Sequence, residues 1–233
     1  MVRLGERPVA TRSLRLMFGL SLTPSSGPLR VLALGAHSDD IEIGCGATLL
    51  ALGARHESME LCWAVATGDP TRETEARSSA ADFAGKHTYT CVFGGLRESY
   101  LPAQWEAAKQ FVHRVASQFD PHVVFTHAKH DQHQDHRTLA ELVPNAFRNH
   151  LVLGFEIPKY EGDLLPPNVF VAVSPEDAKR KVELLHRHFP SQATKYWFDE
   201  QMFLGLMRIR GVEARAESGF AEAFHASKIN LVP

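Results

Sequence analysis

The sequence is poor in cysteine, and the three it has form no recognisable pair. Cys45, Cys62 and Cys91 are widely separated and odd in number, which argues against a disulfide framework or a thiolate zinc site and leaves buried free thiols in a reducing compartment. No apolar run approaches the roughly 20 residues that a membrane helix needs. An excess of charge of one sign is missing too: 25 basic residues face 27 acidic ones, a formal charge of −2. No positive field therefore invites nucleic acid or an anionic lipid surface. Repeats, low-complexity tracts and interdomain linkers are also lacking.

What remains is ordinary globular composition, 44% hydrophobic and 22% charged over 233 residues, enough to bury a full core. The length predicts one domain over 29–233 behind an extension over 1–28. The extension reads as a surface segment or an added strand, because Arg15 interrupts its apolar Leu14 to Leu22 portion and no clear cleavage site follows. A cytoplasmic location is the default expectation.

The residue in excess is histidine, 13 in all, with His122, His127, His130, His133 and His136 crowded together. Histidine is the commonest metal ligand, so this stretch is the first place to look for chemistry.

Apolar runs alternate with helix-like segments. Leu29 to Gly35, Met59 to Ala66, Thr88 to Phe93 and His122 to Thr126 read as strands, with Phe155 to Tyr160 and Val169 to Val173 as further candidates. Helices are expected over Gly46 to His56, Glu73 to Gly85, Gln104 to Gln118, after His136 as far as Pro144, Pro175 to Phe189 behind a Ser174 cap, and Glu200 to Arg210. Strand–helix alternation argues for a parallel sheet covered on both faces.

In such sheets functional groups gather beyond the carboxyl ends of the strands. Ala36-His37-Ser38-Asp39-Asp40 follows the first strand, and His133-Gln134-Asp135-His136-Arg137 comes soon after the fourth. His37 and Asp40, three apart in a turn leading to a helix, supply one wall of a divalent metal site, and His136 completes a His₂Asp set of the open, catalytic kind. Zinc held there would acidify a bound water toward about pKa 7. Asp39, adjacent to a ligand, is the natural general base.

The ordinary alternative for an Asp pair after a strand is a helix N-cap. A phosphate-binding role for Gly44-Cys45-Gly46 is weaker, since neighbouring carboxylates repel phosphate and the third glycine is missing. His127 and His130 read as polar loop residues or neighbours of the site, and Asp131 as a support of the ligand loop or part of the pocket lining. Arg97, at the catalytic edge of the sheet, is a candidate contact for an anionic group on the substrate.

The segment Ala36-His37-Ser38-Asp39-Asp40 with Glu42 resembles the AHPDD(x)E signature, and His133-Gln134-Asp135-His136 the HxDH signature, of the LmbE/PIG-L family. Weaker similarity runs through Arg72 to Ala76, Ser191-Gln192 and Gly219 to Phe224. The resemblance implies an α/β, Rossmann-like three-layer sandwich with a mostly parallel sheet. It also implies a zinc-dependent N-deacetylase acting on an N-acetylglucosamine-like unit, free or in a glycoconjugate. His37, Asp40 and His136 become the zinc ligands and Asp39 the base. His133 becomes the oxyanion stabiliser, Asp135 the residue holding its imidazole, and Arg72 a substrate contact. Ser38 stands where the family usually has proline.

Two alternatives compete. One is a deacylase of a non-sugar amide, such as a thiol conjugate or an antibiotic core; the other is a nucleotide-binding Rossmann-like module without catalysis, against which Asp39 and Asp40 at the helix N-terminus argue. The cation could be another divalent metal, because nitrogen and oxygen donors discriminate weakly. The expected partner is a small-molecule or glycoconjugate substrate, with no nucleic acid and no membrane insertion, and a homo-oligomer is left open.

Overall fold

A computed structural model describes residues 19–230. Most of the N-terminal extension therefore lies outside the described residues, and its part over 19–28 contains no helix or strand.

Seven strands form one sheet in the order β3-β2-β1-β4-β5-β7-β6. They are β1 (Leu29–Gly35), β2 (Met59–Thr67), β3 (Thr88–Leu96), β4 (Val123–His127), β5 (Leu151–Phe155), β6 (Val169–Val173) and β7 (Phe220–Ala226). The first five pair in parallel, and β7 runs antiparallel between β5 and β6. The expected mostly parallel, three-layer α/β architecture is present.

Six helices cover the sheet: α1 (Asp40–Arg55), α2 (Pro70–Ala84), α3 (Trp105–Gln118), α4 (Gln134–Ala146), α5 (Pro175–His188) and α6 (Glu200–Glu213). Helices α1, α2, α5 and α6 share one core with Val31 and Ala33 of β1. Helices α3 and α4 share the opposite core with Leu32 and Leu34. Both faces of β1 are thus buried, which is why it reads as a continuous apolar run.

The strand order reverses between β1 and β4, which lead outward to β2 and β5 respectively. A crevice opens at that point beyond the carboxyl ends. The two histidine-bearing segments follow these two strands, so the topology brings together residues about a hundred positions apart in the chain.

Three expectations shift. Helix α1 begins at Asp40, so Gly44-Cys45-Gly46 lies inside it and is no phosphate loop. The glycines admit neighbours instead: a Cβ at Gly44 would lie 2.4 Å from the Phe155 ring, and one at Gly46 2.8 Å from Phe83. The strand expected over Phe155 to Tyr160 lies over Leu151–Phe155, where its residues pair with β4; Pro158, which has no N–H to donate, falls outside it. The C-terminal Phe220–Ala226 segment supplies a strand that local pattern did not reveal. No helix among the described residues is long and apolar enough to cross a membrane.

Helix α1 carries an ion pair at its centre. Lys181 Nζ donates to Glu222 Oε1 at 2.6 Å and to the Ile43 carbonyl at 2.6 Å. Glu222 in turn accepts the N–H groups of Ala47 (3.1 Å) and Thr48 (2.7 Å). Both side chains are buried, so either charge left alone would be costly. Replacing Glu222 with leucine is expected to destabilise the fold by about 3–5 kcal/mol. The double change Lys181→Met/Glu222→Leu should cost clearly less. Denaturant melts of both proteins check this, and equal losses would contradict it.

Candidate metal centre

His37 lies in the turn between β1 and α1, and Asp40 opens the helix. His133 and His136 stand at the start of α4, with His133 as its N-terminal cap residue. The structure brings these groups to one point. His37 Nδ1 lies 3.1 Å from His136 Nε2 and 3.3 Å from Asp40 Oδ2, and His136 Nε2 lies 3.4 Å from Asp40 Oδ1. Donors bound tetrahedrally at 2.0–2.1 Å would stand about 3.3 Å apart.

The hydrogen bonds behind the rings decide which atoms can bind a cation. His37 Nε2 faces Asp135 Oδ2 at 3.2 Å, and His136 Nδ1 faces Asp131 Oδ2 at 2.9 Å. Each ring donates its N–H to the carboxylate behind it, which fixes the tautomer. When both rings are neutral, His37 Nδ1 and His136 Nε2 face each other across 3.1 Å with lone pairs, an arrangement that needs a positive centre, a proton or a divalent cation, beside it. A divalent cation fits this donor set.

Two other triples are as compact, Asp40 with His127 and His136, and His37 with His133 and His136. Their extra histidines are already engaged. His127 Nε2 accepts the Ala36 N–H at 2.9 Å, so its lone pair is occupied although the ring stacks on His136 with centroids 3.9 Å apart. His133 Nδ1 accepts the Asp135 N–H at 3.3 Å. A neutral His133 therefore carries its proton on Nε2 and is a donor, not a ligand.

Asp39 is buried beside the centre. Its Oδ1 accepts from Arg72 Nη2 at 2.7 Å, while Oδ2 has no hydrogen-bond partner in the protein. Arg72, expected to face substrate, is itself buried and also donates to Glu75 (3.1 Å) and Ser191 (2.9 Å). Glu75 accepts in addition the Ser191 hydroxyl at 2.7 Å. The arginine thus ties α2, the C-terminal Ser191 segment and Asp39 together.

Asp135 differs from expectation. Its carboxylate faces His37, not the His133 imidazole, and accepts the backbone N–H groups of Ser99 (2.6 Å) and Leu101 (3.0 Å). It reaches His133 only through its own backbone N–H. Ser99 adopts φ 65°, unusual for a non-glycine residue, in presenting that N–H. Arg97 is exposed two residues earlier, its guanidinium 3.6 Å from the centre of the Tyr100 ring. It makes no contact with the convergent groups. Lys159, whose Nζ lies 3.0 Å from Asp131 Oδ2, carries no local signal, and only the folded chain brings it here.

Burial alone would lower the His37 pKa, but the Asp40 and Asp135 carboxylates outweigh it and raise it to about 10. His136 is raised against burial by Asp40 and Asp131. Asp40 is lowered well below the carboxylate range, its burial overcome by His136, His127 and His37. Burial pushes Asp39 up despite Arg72. It takes His127 down to about 4 and also lowers His133. The surrounding carboxylates thus favour the protonated forms of His37 and His136 when no cation is bound.

Residues 32–147 match the family model described as "PIG-L: GlcNAc-PI de-N-acetylase". The chain is 28% identical over 168 residues to the uncharacterized deacetylase YaiS of Escherichia coli K12, covering 68% of this chain and 89% of that protein. Among solved structures it is similar to a conserved protein from Thermus thermophilus (TM-score 0.69, 20% identity, 88% of this chain and 98% of the other). A further similarity is to the N,N'-diacetylchitobiose deacetylase of Pyrococcus horikoshii (TM-score 0.64, 18% identity, 84% and 83%).

A cation entering the centre must displace the protons from His37 and His136. Because both pKa values are raised, metal uptake is expected to release protons and to tighten as pH rises through neutrality. Calorimetric titration in buffers of different ionisation enthalpy checks this. Uptake without proton release would contradict it.

Proposed function

We propose that this chain, which matches the PIG-L family model over residues 32–147, is an N-deacetylase of that family that removes the acetyl group from an amino sugar. The substrate is an N-acetylglucosamine-like unit, free or within a glycoconjugate. A divalent ion, zinc by preference, is held by His37, Asp40 and His136. What carries the reading is the pair of facing imidazole nitrogens beside Asp40, each aimed by its own buried carboxylate. The substrate class is supported by the family's described activity and by the named substrate of the archaeal neighbour.

Bound there, the ion supplies Lewis acidity, making water easier to deprotonate and an amide carbonyl more electrophilic. The remaining work falls to the chain. Asp39, anchored through Oδ1 by Arg72, keeps Oδ2 free to take a proton from the attacking water. Burial raises its basicity above that of an ordinary carboxylate, which suits the task. His133 turns Nε2–H toward the reacting carbonyl oxygen, its tautomer set by the Asp135 N–H on Nδ1. With its pKa lowered it stays neutral and donates to the developing oxyanion. Asp39 then returns the proton to the departing amine, and acetate leaves with the oxygen of water.

Arg72 acts here through Asp39, while Arg97 on its exposed loop remains the candidate for contacting the substrate. Asp39→Asn is expected to retain stoichiometric metal and lose about 10²- to 10⁴-fold in kcat, whereas His136→Ala should lose the metal itself. Acetate release from a panel of N-acetyl sugars and glycosides, paired with elemental analysis, tests both. An Asp39→Asn protein with parental turnover would remove the assigned base.

A further inference from the structure

We infer that Lys159 is a positioning residue of the metal centre, its ammonium locking the Asp131 carboxylate that aims His136. The inference rests on the metal-centre reading above.

The Lys159 side chain is 9% exposed, and its ammonium forms an ion pair with Asp131 Oδ2 at 3.0 Å. It donates hydrogen bonds to Asp163 Oδ2 at 2.7 Å and to the Ile157 carbonyl at 3.2 Å. The two carboxylates hold what matters at the centre. Asp131 accepts His136 Nδ1–H at 2.9 Å through Oδ2 and the His133 backbone N–H at 2.8 Å through Oδ1. Asp163 accepts the Gln132 backbone N–H at 2.6 Å.

One buried cation therefore draws two acidic groups together, and these fix the successive N–H groups of Gln132 and His133 plus the ring of His136. Lys159 and Asp163 belong to the connection between β5 and β6, which has no helix or strand of its own. The same connection carries the exposed Tyr160, Leu164 and Leu165. Lys159 is thus the point where this outer loop meets the carboxylate that holds His136.

Charge and position make opposite demands, which separates them experimentally. A lysine close to a cation site repels the ion, so on charge alone its removal would tighten metal binding. A lysine that aims a ligand has the reverse effect, and loss of such supporting contacts typically weakens affinity about 10- to 100-fold.

Chelator competition for zinc on the full chain reads the difference. Lys159→Met is expected to bind zinc about 10- to 100-fold more weakly than the parent. Lys159→Gln, which keeps polar N–H groups but not the charge, should fall between them and carries the comparison if the methionine variant does not fold. Asp163→Ala frees the loop but leaves Lys159 on Asp131, and should lose far less than Lys159→Met. At saturating cobalt, the visible absorption band should move in the Lys159 variants and not in Asp163→Ala. Unchanged or tighter zinc binding in the Lys159 variants, or an equal loss in Asp163→Ala, overturns the inference. A parent chain that takes up no zinc overturns the metal-centre reading itself.

Discussion

Two imidazole nitrogens turned toward each other at 3.1 Å form the constraint on which the rest of this site depends. His37 and His136 hold that opposition because each has its remaining nitrogen bonded to a buried carboxylate, Asp135 or Asp131. Left neutral and without a cation, the pair would repel. The protein concentrates negative charge around it from Asp39, Asp40, Asp131 and Asp135, all buried. In water such a cluster would be screened. In the interior it must be balanced by protons, by Arg72 and Lys159, or by a divalent ion.

The fold serves this point by rigidity. The centre sits where the parallel strand order reverses, with one wall from the β1–α1 turn and the other from the start of α4. Helix α1, which carries Asp40, is buried along most of its length between the sheet and the neighbouring helices. Its middle is gripped by Lys181 and Glu222 from two distant elements. A carboxylate held on such a helix has little freedom to drift, and small displacements at a functional site are costly. The loops do different work: Ser99 and Leu101 supply N–H groups to Asp135, and the loop after β5 supplies Lys159 to Asp131.

Much of this could be read in the chain before folding. Leu29 to Gly35 and Val169 to Val173 occupy the strands expected of them, and the two histidine-bearing segments converge as their positions after β1 and β4 suggested. Ligand type and spacing are local properties, and a parallel sheet has few ways to bring two strand ends together. Partnership is a different matter. That Asp135 bonds His37 instead of His133 depends on the exact approach of two elements, which no spacing encodes. The early start of α1 was hidden because an acidic, glycine-containing turn looks unlike a helix until its burial is known. Lys159 and Glu75 resemble any surface charges in sequence and acquire meaning only from the groups they meet.

The atoms around a bound cation are the most direct test of this site. X-ray absorption at the zinc edge of the loaded protein reports them without reference to any substrate. A shell of nitrogen and oxygen donors at about 2.0–2.1 Å is expected, with the scattering of two imidazoles, and loss of one imidazole in His37→Ala at whatever zinc remains bound. A sulfur-containing shell, or a two-imidazole shell that persists unchanged in His37→Ala, would contradict it.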